Sequence, residues 1–263
     1  MSTAPSDPSS FPTSPKALGL YIHFPFCAYK CGYCDFNSWV ERDIGPQRQW
    51  LEGIKKELLF WLGLNHNALK KMSIDTLFMG GGTPSLLKED LWTELCQFLK
   101  KELPLSSDIE WTVEANPETV NQRLLSHLDS LGVNRLSLGI QSFKEKYLKR
   151  LERGATPESN RKALEKIAKH WNGRWSLDLM FGLPQQTLVE WQEDLAEALS
   201  FRPQHLSAYQ LTLTTQKAKT WQQGSDSELL DFLDEHVKHF LKEESFLMKF
   251  LIFLLLEWSL STI

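Results

Sequence analysis

Apolar positions recur along this chain in two alternating rhythms. Short apolar runs at residues 18–23, 74–79, 109–115, 135–138, 175–180 and 205–210 read as buried strands. At 47–62, 87–102, 120–131, 157–170 and 188–199 the apolar positions return every three or four residues, which predicts amphipathic helices. Strand and helix in alternation build a parallel sheet, because each helix is the crossover to the next strand. Six strands are too few to close an eight-fold barrel. The expected fold is therefore α/β, a partial (β/α)6 barrel made of an open, curved parallel sheet with outer helices, and its chemistry should gather at the C-terminal strand ends.

The flanks read differently. Residues 1–17 are rich in Ser and Pro, with neither an apolar stretch nor an Arg, and suit a mobile tail better than a secretory or transit signal. The core is expected over 18–215, and a helix at 228–242 would open an accessory region at 216–245. Beyond it, 246–258 reads FLMKFLIFLLLEW, shorter than the roughly 17–25 apolar residues of a membrane-spanning helix, so no span is expected. Hydrophobic residues at 42 % and charged residues at 24 % fit an ordinary globular chain. Lys and Arg number 29 against 33 Asp and Glu, a net charge of -4, which offers no basic surplus for nucleic acid. Three of the four Cys fall within eight residues, which points to metal chemistry in a reducing compartment, with the cytoplasm as the first reading.

Those three form CAYKCGYC: Cys27, Cys31 and Cys34, just after the first strand. Three thiolates on a short irregular loop suit three corners of a cubic iron-sulfur cluster, leaving one iron for a ligand from outside the protein. A zinc site would want four ligands in paired spacing, and a disulfide would strand one of the three. Cys96, in the helical stretch WTELCQFLK, reads as a small buried hydrophobe. GGGTPS follows the second strand, where glycines let backbone amides approach a charged ligand group. Glu114 ends the third strand just before the Asn116-Pro117 turn, which would present its carboxylate at the barrel mouth. Asp178 lies within the apolar strand SLDLMFGLP and needs a partner or a ligand there. Arg153, just before Gly154, can be read as a helix-end cation.

The segment YIHFPFCAYKCGYCDFNS resembles the radical S-adenosylmethionine (SAM) enzymes and, among them, the oxygen-independent coproporphyrinogen oxidase group. The resemblance covers about residues 18–213. In the oxidases proper a fourth cysteine follows the third after one residue. Here that position is Phe36, and CDFNS is similar to the HemW branch, understood as a haem chaperone. The resemblance implies a 4Fe-4S cluster on Cys27, Cys31 and Cys34 whose open iron binds SAM, and cleavage of SAM to a 5′-deoxyadenosyl radical. It also implies that Gly81, Gly82 and Thr83 contact the methionyl part of SAM, and that Glu114, Gln141, Arg153 and Asp178 line its site. Tyr33 would stack on the adenine ring and Tyr21 would hydrogen-bond a bound ligand. Around Arg153 the sequence Leu151-Glu152-Arg153-Gly154-Ala155 departs from the Leu-Gly-Arg and following His usual in that branch.

The leading expectation is thus a HemW-like protein that handles haem, with haem or porphyrin, haem-accepting proteins and an electron donor as partners. An active coproporphyrinogen oxidase and a non-catalytic metal-binding module are the competing readings. HemW-like chains continue beyond this length and carry Tyr-Glu-Ile-Ser-Asn-Phe after the helix matching 228–242. If Met248 to Phe253 are encoded as ATG AAA TTT CTA ATT TTT, the same bases read one earlier after a T spell that motif. The expectation is then a shifted reading frame and a foreign tail at 246–263. The competing reading is an unusual apolar tail that packs on the barrel.

Overall fold

The computed structural model describes residues 17–69, 72–213, 220–221 and 232. The expected tail, the helix at 228–242 apart from Phe232, and the apolar segment at 246–263 lie outside those residues. Phe232 itself is buried in the main core.

From the N-terminal side the elements run β1 (Ala17–Phe24), β2 (Phe26–Cys27), β3 (Trp39–Val40), α1 (Ile44–Leu69), β4 (Ser73–Gly81), α2 (Glu89–Glu102), β5 (Leu105–Ala115), α3 (Gln122–Leu131), β6 (Arg135–Gln141), α4 (Glu145–Arg150), α5 (Pro157–His170), β7 (Arg174–Phe181), α6 (Leu188–Ser200) and β8 (His205–Gln210). Six strands form one sheet in the order β1-β4-β5-β6-β7-β8, every neighbouring pair parallel. Among the described residues the sheet is open, with β1 and β8 as its two edges. β2 and β3 pair apart from it as a short parallel ladder that brackets the cysteine loop.

Four of the helices that keep the sequence pattern have chemically marked ends. Thr156 caps α5 through a reciprocal capping box with Ser159 and has Pro157 just inside the helix. Thr187 does the same for α6 with Glu190. Asn121 accepts from the Leu124 amide, so α3 starts at Gln122 rather than Val120, and left-handed Gly132 ends it. The 26-residue α1 starts three residues before the expected 47, because Pro46 sits in the first turn, where its missing N–H has no helical partner to lose. Three short elements were not expected. α4 spans only six residues, too few for a helical rhythm to show, and the two-residue strands β2 and β3 carry no alternation.

Side chains alternate across the sheet with a period of two. One face, carrying Ile22, Leu77, Met79, Val113, Leu136, Leu138, Leu177 and Leu206, is buried against α2, α3, α5 and α6 in a single core. The other face is polar. In register across neighbouring strands it carries His23 beside Gly80, then Glu114, Ser137, Ser176 and His205 in one row, and Gly139, Asp178 and Ser207 in another. Parallel strands covered on both faces read as continuous apolar runs. Here only one side is packed with aliphatic residues, and the other lines the inside of the open barrel.

Candidate functional site

The cysteine loop is held by backbone and cationic side chains. Lys30 Nζ donates to the carbonyls of Phe36 (2.7 Å) and Ser38 (3.1 Å), and Arg42 donates through two nitrogens to the Ala28 carbonyl. The Gly32 amide donates to Leu151 O and the Cys34 amide to Cys31 O. His23 Nε2 lies 2.8 Å from the Asn37 carbonyl, which can only accept. Nε2 therefore carries the proton, and Nδ1 accepts from the Tyr21 hydroxyl at 3.1 Å. This internal bond, and the stacking of Tyr21 on Phe78, are the partners of a side chain expected to meet a ligand.

Thr83 Oγ1 lies 3.6 Å from Cys27 Sγ, and Arg153 Nη1 donates to Cys31 Sγ at 3.5 Å. Burial raises the pKa of Cys31, the Arg153 charge and hydrogen bond oppose that, and the neighbouring Cys34 and Cys27 thiolates raise it again. The three thiols thus feel one another's charge. Among the described residues no three His, Cys, Asp or Glu side chains converge as a ready-made site for one metal ion. A cluster does not ask for that, since each thiolate binds a different iron and the thiols surround a volume. With Arg153 and Thr83 turned toward sulfur, a short irregular loop and no competing disulfide among the free cysteines, the donor set fits a cluster. Cys96 stands apart on α2, buried, with its thiol pushed up to about 12.

The glycine loop corrects the sequence reading. Its amides are not available to a ligand: Gly81 N–H donates to Glu114 Oε2 (3.0 Å), Gly82 N–H to Phe24 O (2.6 Å) and Thr83 N–H to Phe26 O (2.8 Å). What the glycines supply is room. Gly81 has φ +108° and a Cβ there would lie 2.5 Å from the His23 ring, while a Cβ on Gly82 would lie 2.5 Å from the Phe26 carbonyl oxygen.

Glu114, Gln141 and Asp178 come from β5, β6 and β7, and Arg153 reaches them from the loop after α4. Burial, and then the charge of Asp178, push the Glu114 carboxyl up to about 7, against the one bond from Gly81. Burial likewise raises Asp178 to about 6, while hydrogen bonds from Ser207 and Ser137 and the charges of Arg135 and Arg153 pull the other way. Ser137 Oγ stands 3.3 and 3.2 Å from the two Asp178 oxygens, which supplies the partner its apolar strand demanded. Arg153 Nη2 donates to Gly139 O (2.5 Å) and Asn116 Oδ1 (3.1 Å), so one guanidinium ties the cysteine loop to the ends of β5 and β6. Gln141 ends β6 with φ 67°, and its Nε2 lies 2.9 Å from where a Gly139 Cβ would stand. Tyr33 packs with Tyr147, Leu151, Met180, Leu183 and Leu211 in a second apolar cluster, so its ring is partly core.

Asn116, Ser137, Arg135, Asn160 and Asp194 belong to the polar scaffolding of this site and were not singled out from sequence. Two of them had a readable signal. Asn160 and Asp194 stand in step with the apolar stripes of their helices, at 160, 163, 164, 167 and at 191, 194, 195, 198, where a polar residue needs a reason. Two buried carboxylates beside a guanidinium and a carboxamide can hold a ligand that carries both an ammonium and a carboxylate.

The chain has relatives of known family and known structure. Residues 21–198 match the Radical SAM superfamily. The chain is 41 % identical to the heme chaperone HemW of Escherichia coli (strain K12) over 196 residues, 74 % of this chain and 51 % of that protein. It is 35 % identical to the mitochondrial radical S-adenosyl methionine domain-containing protein 1 of Mus musculus, covering 77 % and 46 %. It spans about half the length of the curated relatives it matches. Among solved structures, coproporphyrinogen III oxidase (HemN) from Escherichia coli superposes with a TM-score of 0.76 at 25 % identity, covering 86 % of this chain and 53 % of that one. Streptococcus suis SuiB bound to S-adenosylmethionine shares the fold at a TM-score of 0.61 and 17 % identity, covering 90 % and 50 %. No helix among the described residues is long and apolar enough to cross a membrane. Matched over more than half of its length, with its cysteine loop and polar strand ends on the open six-stranded sheet, the chain belongs to the radical SAM superfamily.

Proposed function

We propose that this chain is the cluster- and SAM-binding core of a HemW-like haem chaperone. Cys27, Cys31 and Cys34 hold a 4Fe-4S cluster. Glu114, Gln141, Arg153 and Asp178 line the SAM site, with Gly81, Gly82 and Thr83 leaving room for the methionyl end, and Tyr21 and Tyr33 at its margins. The observation that carries the reading is Arg153, whose guanidinium touches Cys31 Sγ, Asn116 and Gly139 at once and so joins the thiol loop to the carboxylate set. When bound, the cluster supplies a one-electron donor and an open iron for the ligand's amino-acid end.

The protein's own groups set how such a ligand is held. Ionised Glu114 accepts from an ammonium, and the Arg153 guanidinium, already fixed by two oxygen acceptors, faces a carboxylate. Asp178, oriented by Ser137, accepts from ligand hydroxyls, and the Gln141 amide both donates and accepts. The haem role, with haem or porphyrin and haem-accepting proteins as partners and an electron donor for the cluster, rests on the similarity to HemW, as does placement in a reducing compartment such as the cytoplasm.

One anaerobically reconstituted preparation tests the whole reading by iron and acid-labile sulfide content, SAM binding and cleavage, haem binding and coproporphyrinogen turnover. A cluster, bound SAM and bound haem without turnover support it. Turnover of coproporphyrinogen would make the chain an oxidase, and zinc without sulfide would make it a metal-binding module. Asp178→Ala and Glu114→Ala should each weaken SAM binding while cluster content stays at the parent level. Unchanged SAM affinity in both would overturn the site assignment.

A further inference from the structure

Gln141 adopts a backbone conformation that side chains other than glycine seldom take, φ 67°, at the end of a strand whose register slips between Gly139 and Gln141. Such a residue stays there only when its surroundings over-determine it. Two fully buried side chains from different helices do so. Asp194 of α6 takes the Ser142 hydroxyl on Oδ2 at 2.6 Å and the Phe143 amide on Oδ1 at 2.9 Å. From α5, Asn160 Nδ2 donates to the carbonyls on either side of Gln141, Ser142 O at 3.0 Å and Ile140 O at 3.3 Å. The Ser142 hydroxyl, its proton given to Asp194, also accepts from the Lys144 amide.

The chain just before and just after Gln141 is thus pinned at four points by two side chains that reach no strand-end group of the candidate site. We infer that Asp194 and Asn160 are positioning residues, which hold the left-handed turn at Gln141 and so aim its amide toward Gly139 and the Arg153 guanidinium. This rests on the reading that Gln141 meets SAM. A buried carboxylate on an apolar helix stripe is otherwise a poor choice for stability, and an alkyl residue would pack there without it.

The test uses the cluster-loaded full chain. Asp194→Ala should weaken SAM binding about tenfold, the scale seen when an outer supporting partner is removed, at unchanged iron and sulfide content. Asp194→Asn, which keeps one acceptor for the Phe143 amide and can donate to Ser142, should recover most of that loss. In a Gln141→Ala background, Asp194→Ala should add little, because both changes remove the same contact. Full additivity would mean that Asp194 affects SAM binding by a route other than Gln141 and would overturn the inference while leaving the SAM reading intact. Gln141→Ala with parental SAM affinity would overturn the assignment of Gln141 itself. Independently of SAM, hydrogen exchange of the 141–143 amides should quicken at least about tenfold in Asp194→Ala, the mark of a locally opened segment. Parental exchange there would show that Asp194 does not hold the turn.

Discussion

Replacing Glu114 by glutamine changes one atom in the polar end of the barrel and removes one charge. In the parent chain that carboxylate has the Gly81 amide as its hydrogen-bond partner at 3.0 Å, and the Asp178 charge opposes it. Burial and that charge raise its pKa from 4.5 to about 7. The sign follows from linkage: the folded state holds this proton more tightly than the unfolded one, so stability falls as pH rises from 4.5 through 7 and the loss is complete above it. A shift from 4.5 to about 7 corresponds to about 3 kcal/mol at pH 8, and to less than about 1 kcal/mol at pH 5, which is only about half a unit above the unfolded pKa while the folded carboxyl is still protonated. Glu114→Gln keeps an oxygen for the Gly81 amide and does not titrate. Its unfolding free energy should exceed that of the parent by about 3 kcal/mol at pH 8, roughly 6–12 °C in Tm for a domain of this size, with the gap shrinking toward pH 5. Urea unfolding of the ligand-free proteins across pH 5 to 8 measures it. On the proposed reading the same substitution should weaken SAM binding, because Glu114, proposed to accept from the ammonium, loses its charge. A stability gap that is flat with pH, or a variant less stable than the parent at pH 8, would refute the reasoning.

Alanine at Cys27, Cys31 or Cys34 should abolish cluster content after reconstitution, whereas Cys96→Ala should retain it and lower stability by about 1 kcal/mol for a small buried group. Equal iron in a loop variant and the parent would contradict this. Gly82→Ala should lower the urea midpoint by the equivalent of about 1–3 kcal/mol, since its Cβ would meet the Phe26 and Phe24 carbonyl oxygens at 2.5 and 2.9 Å and backbone cannot yield cheaply. Gly53→Ala, on the exposed side of α1 with nothing within 4 Å, should instead raise it by about 0.5–1 kcal/mol. A parental midpoint for Gly82→Ala would refute the steric account.

The elements most legible in the sequence were those whose limits are written in side chains. Pro157–His170 and His205–Gln210 fall where the pattern placed them, the first because Thr156 and Pro157 announce it. Cys27, Cys31 and Cys34 were legible because their spacing is itself the chemistry. The glycine loop shows where such reading stops. GGGTPS identifies a tight approach, but not which groups approach. That its amides answer to Phe24, Phe26 and Glu114 depends on strand neighbours 33 to 58 residues away. The partner of Asp178 was also hidden, since Ser137 is an ordinary strand residue until parallel pairing brings the strands together. Asp194 and Asn160 were readable in principle, as polar residues on apolar stripes, yet their task appears only once the turn at Gln141 is seen.

The parallel sheet also imposes a timetable. Each of its rungs joins strands separated by a crossover, as Tyr21 pairs with Phe78, so no part of the polar barrel end can form from local chain alone. Cys31 and Arg153 stand 122 residues apart. At the usual pace of translation, about 5–20 residues per second, the thiols leave the ribosome roughly 6–24 s before the arginine that will lie against them. During that interval they are bare nucleophiles on an unfolded chain, open to oxidation and to whatever soft metal arrives first. If these thiols hold the proposed cluster, its faithful loading depends on the reducing power and metal traffic around the nascent chain as much as on the affinity of the finished fold.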